Sequence, residues 1–596
     1  MKHLYYLLLA IILLPCHAAN AQLITTSPTI VQRSSNPIVI TFHADQGNKG
    51  LMGLTSSTPV YAHTGIIRKG STKWEYAPQW LDNSAKYKLS YVSANTWQLT
   101  IPGINEYYGI TNAVEVEKLA FVFRNANGSK EGKTAAGGDI FVNVVQDNEF
   151  ELTLTSSAES EYITQARDIT TTSSADIDIY LNSTTSSPVA SAKNATTLTK
   201  TIAINTPGTY NVIARATSGT KTATQTSTVT YLGQSTQTDY PGGIPQMGAK
   251  ANSDGSVTFC LAAPDKSNVL IVGSWNEYDI ATSQPMHYQD YNGNRYFWAT
   301  ISGLAADTDY PYYYLVDGQY KVGDPYANLV LDPWNDRYIS PTVFPDMPPY
   351  PSDKVSDVPL AVYNSSINDY EWKIKNFKGV DQSALVIYEL LIRDFNGTEG
   401  QSLGNGTIAG VMEKLDYLKE LGVNAIELLP VMEFNGNNSW GYNPNFYFAP
   451  DKAYGTPDDY RKLVDAIHER GMAVILDVVF NQSDGLHPWY RMYDIDRNPF
   501  YNGTAPHSYS VLNDWNQDNQ LVQQQFKDAL IYWLTSYNVD GFRFDLVKGL
   551  GSNQSYNATY DQSTNTWSGV TEDKTNAYNA SRVARMKELH DAMRTV

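Results

Sequence analysis

The chain has 596 residues and a formal net charge of −18. That length exceeds what one hydrophobic core organises, so several domains are expected; the acidic balance argues against a nucleic-acid partner, whose phosphates call for clusters of Lys and Arg. The 42 Tyr and 12 Trp residues supply flat amphipathic faces that suit either stacking on an uncharged ring or filling β-sandwich cores.

At the start of the chain, Met1, Lys2 and His3 precede an apolar run over residues 4–14 and a small-residue stretch, Ala19-Asn20-Ala21. This pattern predicts a secretory signal peptide over residues 1–21, and hence a protein that is secreted or exported to the periplasm or cell surface. Lipidation at Cys16 is the alternative, which Pro15 disfavours. No stretch approaches the roughly 20 apolar residues of a membrane span, so no transmembrane segment is expected. Cys16 and Cys260 are the only cysteines, which leaves no internal disulfide once the signal is removed.

Residues 22–147 alternate short β-rich runs, such as 38–42 and 119–123, with turns, and predict a β-sandwich. Trp74, Tyr76, Trp80, Tyr87 and Tyr91 cluster between its strands, as a starch-binding face or as structural aromatics. Residues 148–235 are rich in Ser and Thr, end in a strand-like run over 209–215, and predict an immunoglobulin-like spacer. After the turn-forming Tyr240-Pro241-Gly242-Gly243-Ile244-Pro245, a third module is expected over 236–345. Its runs at 257–265, 269–276 and 310–318, with Asp324-Pro325-Tyr326, resemble the β-sandwich that precedes the barrel in isoamylases, branching enzymes and pullulanases. The resemblance implies a module that binds carbohydrate or braces the barrel, with Trp275 and Trp298 as candidate contacts. Residues 346–382 read as a linker.

From residue 383 the pattern becomes strand, helix, strand. A strand over 385–390 is followed by a helix capped by Thr407, with Ile408, Val411, Met412, Leu415 and Leu418 at helical spacing and Gly422 beyond its end. A strand over 424–430 precedes a helix with a Thr456/Asp459 capping box, Pro457 at the first position, His468 and Arg470 in the last turn, and Gly471 after it. A third strand at 473–480, a helix around 521–537 and a fourth strand at 541–547 follow. Repeated βα units imply a parallel sheet; a doubly wound sheet is the alternative, but no Gly-rich phosphate loop follows any strand. The expected fold class is multidomain: three N-terminal β-sandwich (Ig-like) modules, then over residues 383–596 a partial (β/α)8 TIM barrel with its first four βα units only.

Side chains alternate along a strand, so Arg543 and Asp545 share one face and Phe542 and Phe544 the other. A strand buried on both faces has no need of an ionic pair. A guanidinium keeps a neighbouring carboxylate ionised, as a nucleophile for an anomeric carbon must be; a structural salt bridge explains the isolated pair as well.

The wider pattern resembles the α-amylase superfamily, glycoside hydrolase family 13. Asp477-Val478-Val479-Phe480-Asn481 looks like its first conserved region, Gly541-Phe542-Arg543-Phe544-Asp545 like its second, and Trp440-Gly441-Tyr442-Asn443-Pro444 matches a further feature. The resemblance implies Asp545 as nucleophile, oriented by Arg543. It implies substrate binding by Tyr442, stacked under the sugar, by Trp440 in the same motif and by Asp477, and a Ca2+ site at Asn481. Gln482 stands where the family usually has His, as a neutral group able to bond a sugar hydroxyl. The implied partner is an α-glucan polysaccharide or oligosaccharide, and the implied activity is hydrolysis of starch, glycogen or pullulan by retaining double displacement. The family's general acid and its transition-state carboxylate come from the fifth and seventh barrel strands. Glu572, in a loop, and Glu588, in a helix, do not substitute, so the chain is expected to be a fragment inactive alone. A non-catalytic starch-binding protein and a glucan branching or transglycosylating enzyme stay open as alternatives.

Overall fold

A computed structural model of the protein describes residues 23–596 except 112–113, 148, 150, 157–164, 203–205 and 398–405. The expected signal peptide over 1–21 lies outside the described residues. Two compact units are present, one ending at Tyr231 and one starting at Leu232.

In the first unit, residues 24–143 form two antiparallel sheets. One has the order Ile24–Ser27, Ile38–His43, Thr96–Ile101, Ser90–Ser93; the other is built on Val60–Arg68 and Val116–Asn125. Alternation along Ile38–His43 buries Ile38, Ile40 and Phe42, which meet Ile66, Leu119 and Phe123 of the other sheet in one core. The aromatic cluster divides: Trp74 stacks on His63 and donates to Asp139 at 3.0 Å, whereas Tyr76 and Tyr91 are exposed. Residues 152–231, expected as an immunoglobulin-like spacer, hold five antiparallel strands joined in one hydrogen-bonded network around a shared core of Leu152, Ile177, Val212 and Val229. The 17-residue strand Gln165–Leu181 carries Leu152–Ser156 and Gly208–Ser218 on successive halves of one edge, and Ala190–Ile202 along the other.

The second unit begins with two antiparallel sheets. The expected linker at 346–382 is corrected here. Leu360–Tyr363, almost wholly buried, is a strand paired with Tyr310–Val316 and Val330–Leu331, so the module's sheet continues past residue 345. Trp298 is 8% exposed and donates to the Thr238 carbonyl at 3.1 Å, and Trp275 packs on Phe259 and Tyr312. Both tryptophans therefore serve packing.

Beneath this sheet Asp324 is fully buried. It accepts from the hydroxyls of Tyr312 and Tyr314 at 2.8 and 2.9 Å and from the Tyr326 amide at 2.8 Å. Burial pushes its carboxyl up to about 6 against the pull of these bonds. A pKa raised on folding contributes stability that is lost as pH rises through about 6. Asp324→Ala leaves three buried donors unmatched, and is expected to cost about 3 kcal/mol or more in urea unfolding of the unit. An unchanged urea midpoint would contradict this account.

A sheet of four parallel strands follows, in chain order: β1 (Ile387–Leu390), β2 (Ala425–Leu428), β3 (Ala473–Val478) and β4 (Gly541–Phe544). A doubly wound sheet reverses strand order at its switch point, and the consecutive order of these four strands shows no such reversal. The predicted punctuation is present: the Thr407 side chain accepts from Gly410, the Thr456/Asp459 box caps Pro457–Glu469 from both sides, and Gly471 takes φ 67° after that helix. Val474, Leu476, Val478, Phe542 and Phe544 face Val411, Leu463, Ile467, Phe526 and Leu530 of the covering helices in one core. The opposite face is left for polar groups.

Candidate active site

Register pairs Asp477 on β3 with Arg543 on β4. Alternation turns both, with Asp545 two residues on, away from the helices. Nη1 of Arg543 donates to Oδ1 and Oδ2 of Asp477 at 3.0 and 2.9 Å and to Oδ1 of Asp545 at 2.8 Å. The Tyr442 hydroxyl donates to Oδ2 of Asp477 at 2.6 Å. Four residues from three chain segments thus form one hydrogen-bonded constellation.

Its members differ in access. The Asp477 side chain is 1% exposed, Asp545 20% and Arg543 42%. Burial pushes the Asp477 carboxyl up to about 6, although Tyr442 and Arg543 hold it down. Burial also works against the Arg543 charge, but its two carboxylate partners outweigh that and raise it above the ordinary guanidinium range. Burial and the bond to Asp477 push the Tyr442 phenol up. Asp545 is the acid of this set that keeps an oxygen, Oδ2, without a hydrogen bond among the described residues. The Asp545 amide donates to the Val478 carbonyl at 3.0 Å, and the next residue, Leu546, has φ 47°. A positive φ is uncommon for a leucine and marks a sharp bend immediately after Asp545.

Tyr442 sits in the loop of a hairpin formed by Met432–Phe434 and Pro444–Pro450. Gly441 has φ 92°, and a Cβ there would meet the Pro430 carbonyl oxygen at 2.2 Å, so only glycine lets the loop fold this close. Trp440, before it, is 60% exposed beside the constellation.

Sequence reasoning missed two groups. Glu389 and Glu427 are register partners on β1 and β2, on the same face as Arg543. Burial raises the Glu427 carboxyl, Glu389 adds to the rise and Arg543 opposes it. Behind the hairpin, Lys452 is buried between Glu433, which it contacts directly, and Asp336 at 3.3 Å. Burial pushes both acids up. Charged residues inside the apolar runs Val431-Met432-Glu433-Phe434 and Ala425-Ile426-Glu427-Leu428 were the available signal.

Residues 389–502 match the family described as "Alpha amylase, catalytic domain", a span that contains Tyr442 and Asp477. This part of the chain is similar to the α-amylase catalytic domain. The chain is 32% identical over 310 residues to malto-oligosyltrehalose trehalohydrolase of Saccharolobus solfataricus, covering 51% of this chain and 46% of that protein. It is also 32% identical over 275 residues to isoamylase 1, chloroplastic, of Arabidopsis thaliana, covering 40% and 35%. Among solved structures it is similar to the catalytic module of the glycogen-degrading pneumococcal virulence factor SpuA, with 24% identity, a TM-score of 0.42, and coverage of 59% and 49%. The chain spans less than half the length of these relatives.

One expectation drawn from α-amylase-like motifs, that Gln482 bonds a sugar, is corrected by the surroundings of the residue. Gln482 is 1% exposed; its Nε2 donates to the Tyr442 carbonyl at 3.1 Å and its Oε1 accepts from Asn481 at 2.8 Å. Its amide braces the Tyr442 loop instead of reaching toward a sugar. Asn481 was the expected calcium ligand, and its Oδ1 is buried without a hydrogen-bond partner. That oxygen abuts Gly549 so closely that a Cβ there would lie 1.6 Å away. The nearby Asp514 already accepts from His507 at 2.9 Å and from Asn502 at 2.8 Å. Among the described residues, no three His, Cys, Asp or Glu side chains group to hold a metal.

Proposed function

We propose that the protein is an exported α-glucan hydrolase acting by retaining double displacement, with Asp545 as nucleophile. The observation that carries this reading is Arg543 held between Asp477 and Asp545, with one Asp545 oxygen anchored and the other left unpartnered. Arg543 and Asp477 orient that carboxylate; Oδ2 attacks the anomeric carbon, the bond to the leaving-group oxygen breaks, and a carboxylic acid protonates that oxygen. Water then attacks the glycosyl ester, gives its proton to the same acid group and releases Asp545. Asp477 does not serve as the acid, since it is buried and its carboxyl is saturated by Arg543 and Tyr442. The proton donor belongs to a group outside this constellation. Relatives named as an isoamylase and a trehalohydrolase support an α-glucan substrate.

The test is proton NMR of products released from soluble starch, glycogen or pullulan by the complete gene product. New reducing ends are expected first as the α-anomer; initial β-anomer, or no new reducing ends, would refute the reading. Export is tested by N-terminal sequencing of the mature protein, which is expected to begin at Gln22.

A further inference from the structure

Two loops of the second unit present large aromatic side chains to solvent and are tied to one another. One spans residues 332–338 and carries Trp334, 36% exposed, and Tyr338, 71% exposed; the other is the hairpin loop of Trp440, 60% exposed. Nδ2 of Asn437 donates to the Asn335 carbonyl at 2.8 Å, tying a side chain of the hairpin loop to the backbone of the other. Asn437 stands five residues before Tyr442, so a chain of that length places the junction within roughly 18 Å of the residue that contacts Asp477.

Both loops are rigidly held. Asp332 accepts from the amides of Trp334 and Asn335 at 2.6 and 3.1 Å and from the Asn335 side chain at 2.8 Å, and its own amide donates to Asp336 at 2.8 Å. Asp336 reaches Lys452 at 3.3 Å, and Lys452 contacts Glu433 on the hairpin that carries Trp440 and Tyr442. A buried lysine between two acids therefore clamps the first loop to the hairpin of the active-site constellation. The Arg337 guanidinium lies 4.9 Å from the Tyr338 ring centroid, which covers one face of the ring and leaves the other open.

Packing does not explain this arrangement, because the burial cost of the ionic clamp is spent on fixing rings that point into water. Preorganised flat faces in an amide-rich surround suit a neutral polyhydroxylated chain. We propose that Trp334 and Tyr338, with Trp440, form an extended platform for the distal part of an α-glucan chain whose reacting sugar lies at Tyr442. This makes the module loop a determinant of chain-length preference. It rests on the α-glucan reading above.

The experiment measures binding of maltoheptaose and maltotriose by titration calorimetry on the complete gene product made inactive by Asp545→Asn. Trp334→Ala and Tyr338→Ala are each expected to weaken maltoheptaose binding by roughly three- to tenfold, while maltotriose changes little. Tyr417→Ala, at an exposed ring on Leu415–Glu420, is the control and is expected to change neither. Equal maltoheptaose affinity in parent and variants overturns the platform and leaves the α-glucan reading standing. A parent that binds neither sugar overturns both. Thermal melts superimposing on the parent show that a loss of affinity is not a loss of fold.

Discussion

Asp545→Asn in the complete gene product is expected to lower turnover on soluble starch by at least about a thousandfold and to leave the thermal midpoint close to that of the parent. The amide is isosteric with the carboxylate and its oxygen still accepts from Arg543, so the constellation keeps its shape. An amide cannot form the glycosyl ester, and its neutral oxygen is too weak a nucleophile to start the first half of the displacement. The partial exposure of Asp545 keeps the structural cost small, since its free oxygen makes no internal bond to lose. Rates from reducing-end release, with circular dichroism melts of both proteins, check the two halves. Turnover equal to the parent would remove Asp545 from the reaction.

Arg543→Ala is expected to damage both activity and stability. Asp477 is almost wholly buried, and Arg543 supplies two of the three hydrogen bonds to its carboxyl from this constellation. Removing one partner of a fully buried pair costs about 3–5 kcal/mol, and less is expected here because Arg543 is 42% exposed and water can reach the space it leaves. The carboxyl, already pushed up to about 6 with Arg543 present, rises further without it. A folded-state pKa raised in this way makes stability fall as pH rises through it. The variant should therefore recover part of its stability at pH 5, where Asp477 is neutral, and lose most at pH 8. Parallel pH profiles of variant and parent in urea unfolding would contradict that role for Arg543. Activity should fall with the loss of orientation at Asp545, since nothing else among the described residues is bonded to that carboxylate.

Much of the scaffold was legible because its signals are local. Period-two alternation marked Ile38–His43 and β4, and a capping box with Pro457 inside and Gly471 outside bracketed one helix. Each depends on residues within about four positions of one another. Leu360–Tyr363 is too short to separate from a linker, and it is a strand only because Tyr310–Val316 and Val330–Leu331 offer it partners.

At the site, the residue types at the ends of β3 and β4 and the Trp-Gly-Tyr turn could be read directly, as could which of them share a face. Their bonding could not. Gln482 stands in a motif position that suggested a sugar contact, and its amide is instead taken up by the Tyr442 loop and Asn481. Trp298 is buried by the Thr238 segment, 60 residues earlier, whereas Trp334 and Tyr338 are left in water. The sequence by itself determined the βα grammar, the face on which Arg543 and Asp545 lie, and the turn that requires Gly441. Only the tertiary structure decided which polar atoms remain free, because hydrogen-bond saturation and burial depend on groups brought together from distant parts of the chain.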